Sequence, residues 1–374
     1  MRFTLSTTYY ALASATAALA APGQVTPRQG VPFQTTPITD FAEPWALAFL
    51  PDQRILVTEK GGALRLVDPT TRSKGNIVGV PRVQYGGQGG LGDVVLHPQF
   101  AENSLLYFSY AEPGDASQAG AVVARARLML NANGGGALEG VEVLWRQSSK
   151  YTSQGHFGHR ILFGTNSTMW ISSGERQQFN PAQDMSTNLG KIIRLNDDGS
   201  IPEGNPFAGQ GGVAAEVWAL GIRNPLGIDL DEQGRLWEIE MGPRGGDELN
   251  LIQQGGNYGW PIVSQGDHYD GRDIPNHETR PEFIAPKAYW VPVISPASMI
   301  IYKGNMFPRW RGNALIAGLG AMGLVRVEIS GDTAREAQRM SMGRRIRCIR
   351  ESADGALWVL EDGPGGRLLR LTPA

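Results

Sequence analysis

One short unit recurs along this chain: an alternating apolar strand, a tight turn carrying Gly, Asp or Asn, and a return strand bearing an aromatic and an acid. Copies span residues 45–59, 92–110, 156–175, 225–240, 297–318 and 346–361. The copy at 225–240 shows the logic. Leu226, Ile228 and Leu230 alternate with small or polar residues, 231–234 is a turn by composition, and 236–240 returns, so the pair reads as a β-hairpin. The last copy, CIRESADGALWVLED, echoes IDLDEQGRLWEIEM. Recurring antiparallel units of roughly 40–50 residues predict blades around an axis. The expected fold is therefore all-β, a six-bladed β-propeller over residues 40–374. A large β-sandwich is the rival, but it does not require one unit to recur around the chain. With 49 Gly, 24 Pro and only 19% charged residues, the composition suits strands and turns better than helices.

The first 20 residues have the layout of a secretory signal peptide: Arg2, an apolar and small-residue run, then Ala18-Leu19-Ala20 before Ala21. This predicts a periplasmic or secreted protein with no membrane span, and residues 21–39 read as an N-terminal extension. A net charge of −2 gives no basic footprint for nucleic acid. The single cysteine, Cys348, excludes an internal disulfide and reads as a buried, inert thiol.

Several stretches carry unusual local chemistry. Around Gly242-Pro243 and Gly245-Gly246, beside Asp247 and Glu248, a loop of carbonyls offers a seat for a hard cation such as Ca²⁺. Just upstream, Arg223 and Asn224 set a cation beside an amide before Pro225. The glycine-rich bend at 86–92 lacks the Lys-Ser/Thr ending of a phosphate cradle. It serves either to aim Gln88 at a ligand or simply to turn the chain. His156 opens the third unit and is either a hydrogen-bonded core residue or a base. Glu175, at the far end of the same hairpin, is placed to hold its imidazole in one tautomer. Arg345 and Arg347 share one face if strand alternation holds, and on pattern alone that face points outward.

With those residues in view, the chain resembles the soluble pyrroloquinoline-quinone (PQQ)-dependent sugar dehydrogenases, and within them the aldose sugar dehydrogenase branch of the glucose/sorbosone dehydrogenase family. GQGGLGDVVLHPQF, GHFGHRILFG, AQDMSTNLGKIIRLNDDGSIPEGNPF, GIRNPLGIDLD, GPRGGDELNLI, GGNYGWP and RRIRCIRESADGALWVLED carry the likeness from about residue 44 to 371. The resemblance implies PQQ across the propeller axis and a Ca²⁺ that polarises the quinone. It implies His156 as the base for the sugar's anomeric hydroxyl, with Glu175, where Asp is usual, orienting it. Arg223 and Asn224 match the contacts to the reacting quinone face, Gly242 and Pro243 the calcium carbonyls, and Gln88 a cofactor-side amide. Arg345 and Arg347 match partners of the cofactor carboxylates, which reverses the outward reading. Gln183 is chosen as a further cofactor-side amide over Gln177 and Gln178. The chain departs from the family at Gly320, where a lysine is common, and at His159, where a small residue is usual.

The activity implied is oxidation of aldose sugars at the anomeric carbon to lactones, with electrons passed to an external acceptor, by a monomer or homodimer. Two rivals remain open on the sequence: a cofactor-free binding propeller, and a calcium-dependent lactone hydrolase.

Overall fold

The computed structural model describes residues 28–29, 31–164 and 167–374, so the signal-peptide reading lies outside the described residues. Strands dominate, and most fall into six four-stranded units; Arg28–Gln29 adds a short parallel strand to the outer edge of one, and Arg244–Gly245 pairs separately with Gly266–Asp267. Each unit begins with an innermost strand, and these six are Pro44–Phe49, Leu91–Leu96, Gly158–Phe163, Pro225–Leu230, Pro296–Ile301 and Ile346–Glu351. Each innermost strand packs against the next and the last against the first, so the units are the blades of a closed six-bladed propeller. Every recurrent segment found in the sequence is the inner hairpin of one blade. Blades one and two are further joined along their outer edges, where Ile77 and Val78 pair in parallel with Gly136 and Ala137.

Local chemistry explains the hairpins. Asp231 accepts the N–H groups of Gln233 and Arg235 and thereby closes the turn between Leu230 and Leu236. The recurrent tryptophan ties the return strand to the same turn: the indole N–H of Trp237 donates to Asp231, and that of Trp358 to Ser352. Both faces of most inner strands are apolar because each blade is covered on both sides. One buried apolar cluster lies between every neighbouring pair of blades, including blades six and one. Cys348 sits in the cluster between blades six and one, buried as expected.

Ring closure uses both ends of the chain. Phe33–Phe41 forms the outer strand of blade six, antiparallel to Gly366–Pro373. The boundary drawn at residue 40 therefore cuts through a strand, and residues 33–39 belong to the propeller rather than to an extension. Pro37 hid this strand. A proline is tolerated at a sheet edge, and the register shifts beside it, between Pro37 and Thr39.

A single guanidinium holds the hub. Arg160, fully buried on blade three, donates to Leu226 O of blade four at 2.8 Å and to Ala297 O of blade five. Its Nη1 meets Asp93 of blade two at 3.3 Å, and its plane lies 3.8 Å over the Trp45 ring of blade one. Arg350 of blade six completes the circuit by reaching the same Asp93 carboxylate at 3.2 Å. Replacing Arg160 by Met removes one of the two guanidinium groups on the buried Asp93 and strands two carbonyls, and should cost about 3–5 kcal/mol. The readout is the urea midpoint; a midpoint equal to wild type would show that the hub is not held this way.

Candidate functional site

All six inner strands share an irregularity near their first residue, where one partner is skipped. Such bulges re-aim side chains at the rim of a sheet. At this end of the axis the chain opens two adjoining cavities of about 370 and 610 Å³, which share Gln88, Met241 and Ser295 as walls.

His156 lies in the wider cavity, buried, with its Nδ1 hydrogen-bonded to Glu175. Burial pulls the imidazole below its ordinary value of 6.5, and nearby Arg223 adds to that, against the opposing pull of Glu175. Burial acts to raise Glu175, but the imidazole and the N–H of Phe179 outweigh it and hold the carboxyl below its usual value. The pair is thus carboxylate and neutral imidazole at pH 7. A carboxylate only accepts, so the ring proton sits on Nδ1 and Nε2 presents a lone pair. The turn that brings Glu175 here is strained, with Arg176 and Gln177 at φ 59° and Phe179 at φ 64°; His156 itself has φ 50°. Backbone strain of this sort costs of order 1–3 kcal/mol per residue and concentrates where geometry is being imposed.

Gln88 joins the pair through its side-chain oxygen, which accepts from the His156 backbone N–H at 2.8 Å and from Asn224 Nδ2 at 3.4 Å. Next to Asn224, Arg223 donates to the carbonyls of Met241 and Gly242 at 2.8 and 2.6 Å. Its guanidinium is flanked by the Trp260 ring at 5.1 Å and the Tyr269 ring at 5.9 Å. Arg223 Nε and Asn224 Oδ1 are buried with no hydrogen-bond partner among the described residues. Two orphaned polar atoms on adjacent residues beside a cavity are what a ligand's polar edge would satisfy.

Arg345 and Arg347 line the axial cavity and grip opposite oxygens of Asp362 at 2.8 and 2.7 Å. Alternation did not place them there. Arg345 precedes the strand, and the register skips between Ile346 and Cys348, so Arg347 escapes the outward face. Gly242 and Pro243 line the wider cavity, but the loop is more ordered than its glycines suggested. Arg244–Gly245 pairs with Gly266–Asp267, and the Asp247 carboxylate accepts the N–H groups of Gly242, Ile294 and Ser295. Gln183 is not brought to either cavity: its amide is spent on Asn257 and the carbonyl of Trp260. His159 narrows the axial cavity. It stacks 5.0 Å from Trp45 over Gly92, where a β-carbon would fall 2.0 Å from its ring, and burial pulls it down to about 3.

Sequence reasoning passed over three groups. Lys60 and Glu43 line the axial cavity as an ion pair. Trp260 and Tyr269 bracket Arg223. The third group is a nest of buried acids beside Gly242, Glu238 and Glu240 with Glu248, of which the sequence singled out only Glu248. Glu240 Oε2 accepts the N–H groups of Arg223 and Asn224 at 2.6 and 3.2 Å, so it fixes that backbone. Burial raises Glu240 to about 7, and burial plus the charge on Glu240 pushes Glu238 and Glu248 well above their usual value.

The fold is a closed β-propeller with paired cavities at one mouth of its ring. The chain belongs to the glucose/sorbosone dehydrogenase family, whose profile matches residues 41–370. It is 39% identical over 338 residues to the aldose sugar dehydrogenase YliI of Escherichia coli, covering 88% of this chain and 90% of that one. The apo crystal structure of the soluble E. coli aldose sugar dehydrogenase superposes with a TM-score of 0.84 at 37% identity, over 91% of this chain and all of the other. A PQQ-bound aldose sugar dehydrogenase from Streptomyces coelicolor gives 0.73 at 25% identity, over 91% and 98% of the two chains. Among the described residues, no helix is long and apolar enough to cross a membrane.

The acid nest has a measurable signature. Its carboxyls ionise more readily in the unfolded chain than in the fold, so they lower stability as pH rises above 4.5. Glu238→Gln should therefore raise Tm at pH 8 and leave it unchanged at pH 4, in chelator-containing buffer. An equal shift at both values would show that charge is not the cause.

Proposed function

We propose that this protein is an exported, PQQ- and Ca²⁺-dependent dehydrogenase that oxidises aldose sugars at the anomeric carbon to lactones. The observation that carries the reading is His156, neutral and fixed by Glu175, in one cavity with Arg223 and adjoining the Arg345–Arg347 pair.

The residues present fit the cofactor. PQQ is a planar tricarboxylate, and the axial cavity offers fork-shaped guanidinium groups at Arg345 and Arg347. Arg223 Nε, a donor without a partner among the described residues, would meet a quinone oxygen, and Asn224 Oδ1, an acceptor, would take a hydroxyl of the sugar. Gly242 and Pro243 supply hard carbonyl donors beside the buried acids, a setting that favours a divalent cation. When bound, PQQ polarised by Ca²⁺ supplies the electrophilic carbon that accepts the hydride from C1 of the sugar.

The chain's own residues do the rest. Nε2 of His156 takes the proton of the anomeric hydroxyl as C1 loses its hydride, leaving the lactone. Glu175 stabilises the imidazolium that forms, and the ring cannot turn away because Nδ1 is held. Arg223 places fixed positive charge where negative charge builds, which favours the transition state over the ground state. The rim residues Asp267 and Tyr269 offer a hydroxyl partner and a ring face to the sugar. An external acceptor then removes the two electrons.

The test is dye reduction by protein reconstituted with PQQ and Ca²⁺. His156→Ala should lower kcat by about 10²–10⁴-fold. The acid limb of kcat/KM should lie below 6.5, because His156 is pulled down. Glu175→Gln removes the anion that raises His156, so it should move that limb to still lower pH and reduce kcat. Wild-type turnover in His156→Ala would discard the mechanism, and failure of the wild-type protein to bind PQQ would favour a binding propeller.

A further inference from the structure

Lys60 follows the second strand of blade one and is nearly buried, with its side chain 11% exposed. Its ammonium donates to Glu43 Oε1 at 2.7 Å and to the carbonyl of Gly87 at 2.9 Å, which accounts for two of its three N–H donors. Glu43 is held in turn by the Tyr85 hydroxyl at 2.7 Å. Lys60, Arg345 and Arg347 line the same cavity, where the lining acids are Glu43 and Asp362. Three cations face two carboxylates, which leaves one positive charge in excess.

The backbone of Lys60 is committed to the same region. Its carbonyl accepts from Leu91 N at 3.0 Å, and Gly90, at φ 129°, passes so close that a β-carbon would fall 2.2 Å from that oxygen. Lys60 therefore grips the 86–92 turn twice, at Gly87 by its side chain and at Leu91 by its main chain. That turn carries Gln88, whose side-chain oxygen reaches the His156 backbone and Asn224. Around the ring, blade six with its two arginines lies between blade five, which bears Gly320, and blade one, which bears Lys60.

We propose that Lys60 is a cofactor-binding residue that meets a carboxylate of the tricarboxylate beside Arg345 and Arg347, and that it also positions Gln88 through Gly87. The inference rests on the PQQ reading above. Lys60 links the charged end of the cofactor site to the turn that touches the catalytic histidine.

The test is titration of PQQ into the full-length, Ca²⁺-supplemented protein, followed by quenching of tryptophan fluorescence. Lys60→Met should weaken PQQ binding by about tenfold or more, the loss expected for one charge-assisted bond. Lys60→Arg keeps the charge and should stay within about threefold of wild type. Glu43→Gln removes the competing anion and should not weaken binding. This variant separates charge from scaffold, because a purely structural Lys60–Glu43 pair would make Glu43→Gln and Lys60→Met lose affinity alike. Equal binding by Lys60→Met and wild type, or equal loss in Lys60→Met and Lys60→Arg, overturns the proposal. A wild-type protein that fails to bind PQQ overturns instead the reading on which it rests.

Discussion

Six blades converge on one guanidinium. Arg160 touches blades one, two, four and five directly and blade six through a shared carboxylate, so the hub is a polar knot in a ring otherwise sealed by apolar layers. Burying a charge is unfavourable unless every donor finds a partner. Here the partners are the starting carbonyls of two inner strands and a carboxylate that also accepts the N–H of Ile161. Those bonds fix how far each inner strand advances along the axis, so Arg160 sets the floor on which the cavities stand. Trp45, in contact with both Arg160 and His159, links the hub to the cavity wall.

Above this floor the structure gives up local comfort for placement. The inner strands are irregular at their first residues, and His156, His159 and the turn after Glu175 hold positive φ angles without being glycine. Those departures fall where the imidazole, the carboxylate and the guanidinium must meet. Burial keeps His156 neutral, while the imidazole and the Phe179 N–H keep Glu175 ionised against the burial that would raise it. Two titratable groups a hydrogen bond apart are thus driven to the states that a base and its orienting partner need. The same burial, uncompensated, raises the nest of glutamates beside Gly242. The site therefore sits on a region whose own stability depends on pH.

The sequence made the ring legible because its signal is repetitive: a strand, a tight turn and a return strand recur along the chain, and in blades four and six an indole N–H ties the return strand to the turn. His156, Glu175, Gln88, Arg223 and Asn224 were legible because each lies in a distinctive run, and the structure gathers them. What could not be read depended on partners distant in sequence. Lys60 looks like a solvated lysine after a strand until Gly87, 27 residues on, folds over it. Gln183 looks available until Asn257, 74 residues away, takes its amide. The arginine pair eluded pattern reasoning for a different reason: a period-two argument fails at a bulge, and Arg347 stands on one.

The clasp between residues 33–41 and 366–373 has a consequence for how the molecule is made. One partner lies at the start of the described ring and the other is its last strand, so their pairing joins segments more than 300 residues apart. Such contacts are slow to form because a long loop must close before any bond rewards it. Until the final strand has emerged, blade six lacks the neighbour of its outer edge, and its apolar layers against blades five and one remain incomplete. The nascent protein therefore stays open as a crescent of blades, and becomes a ring only when its two ends meet.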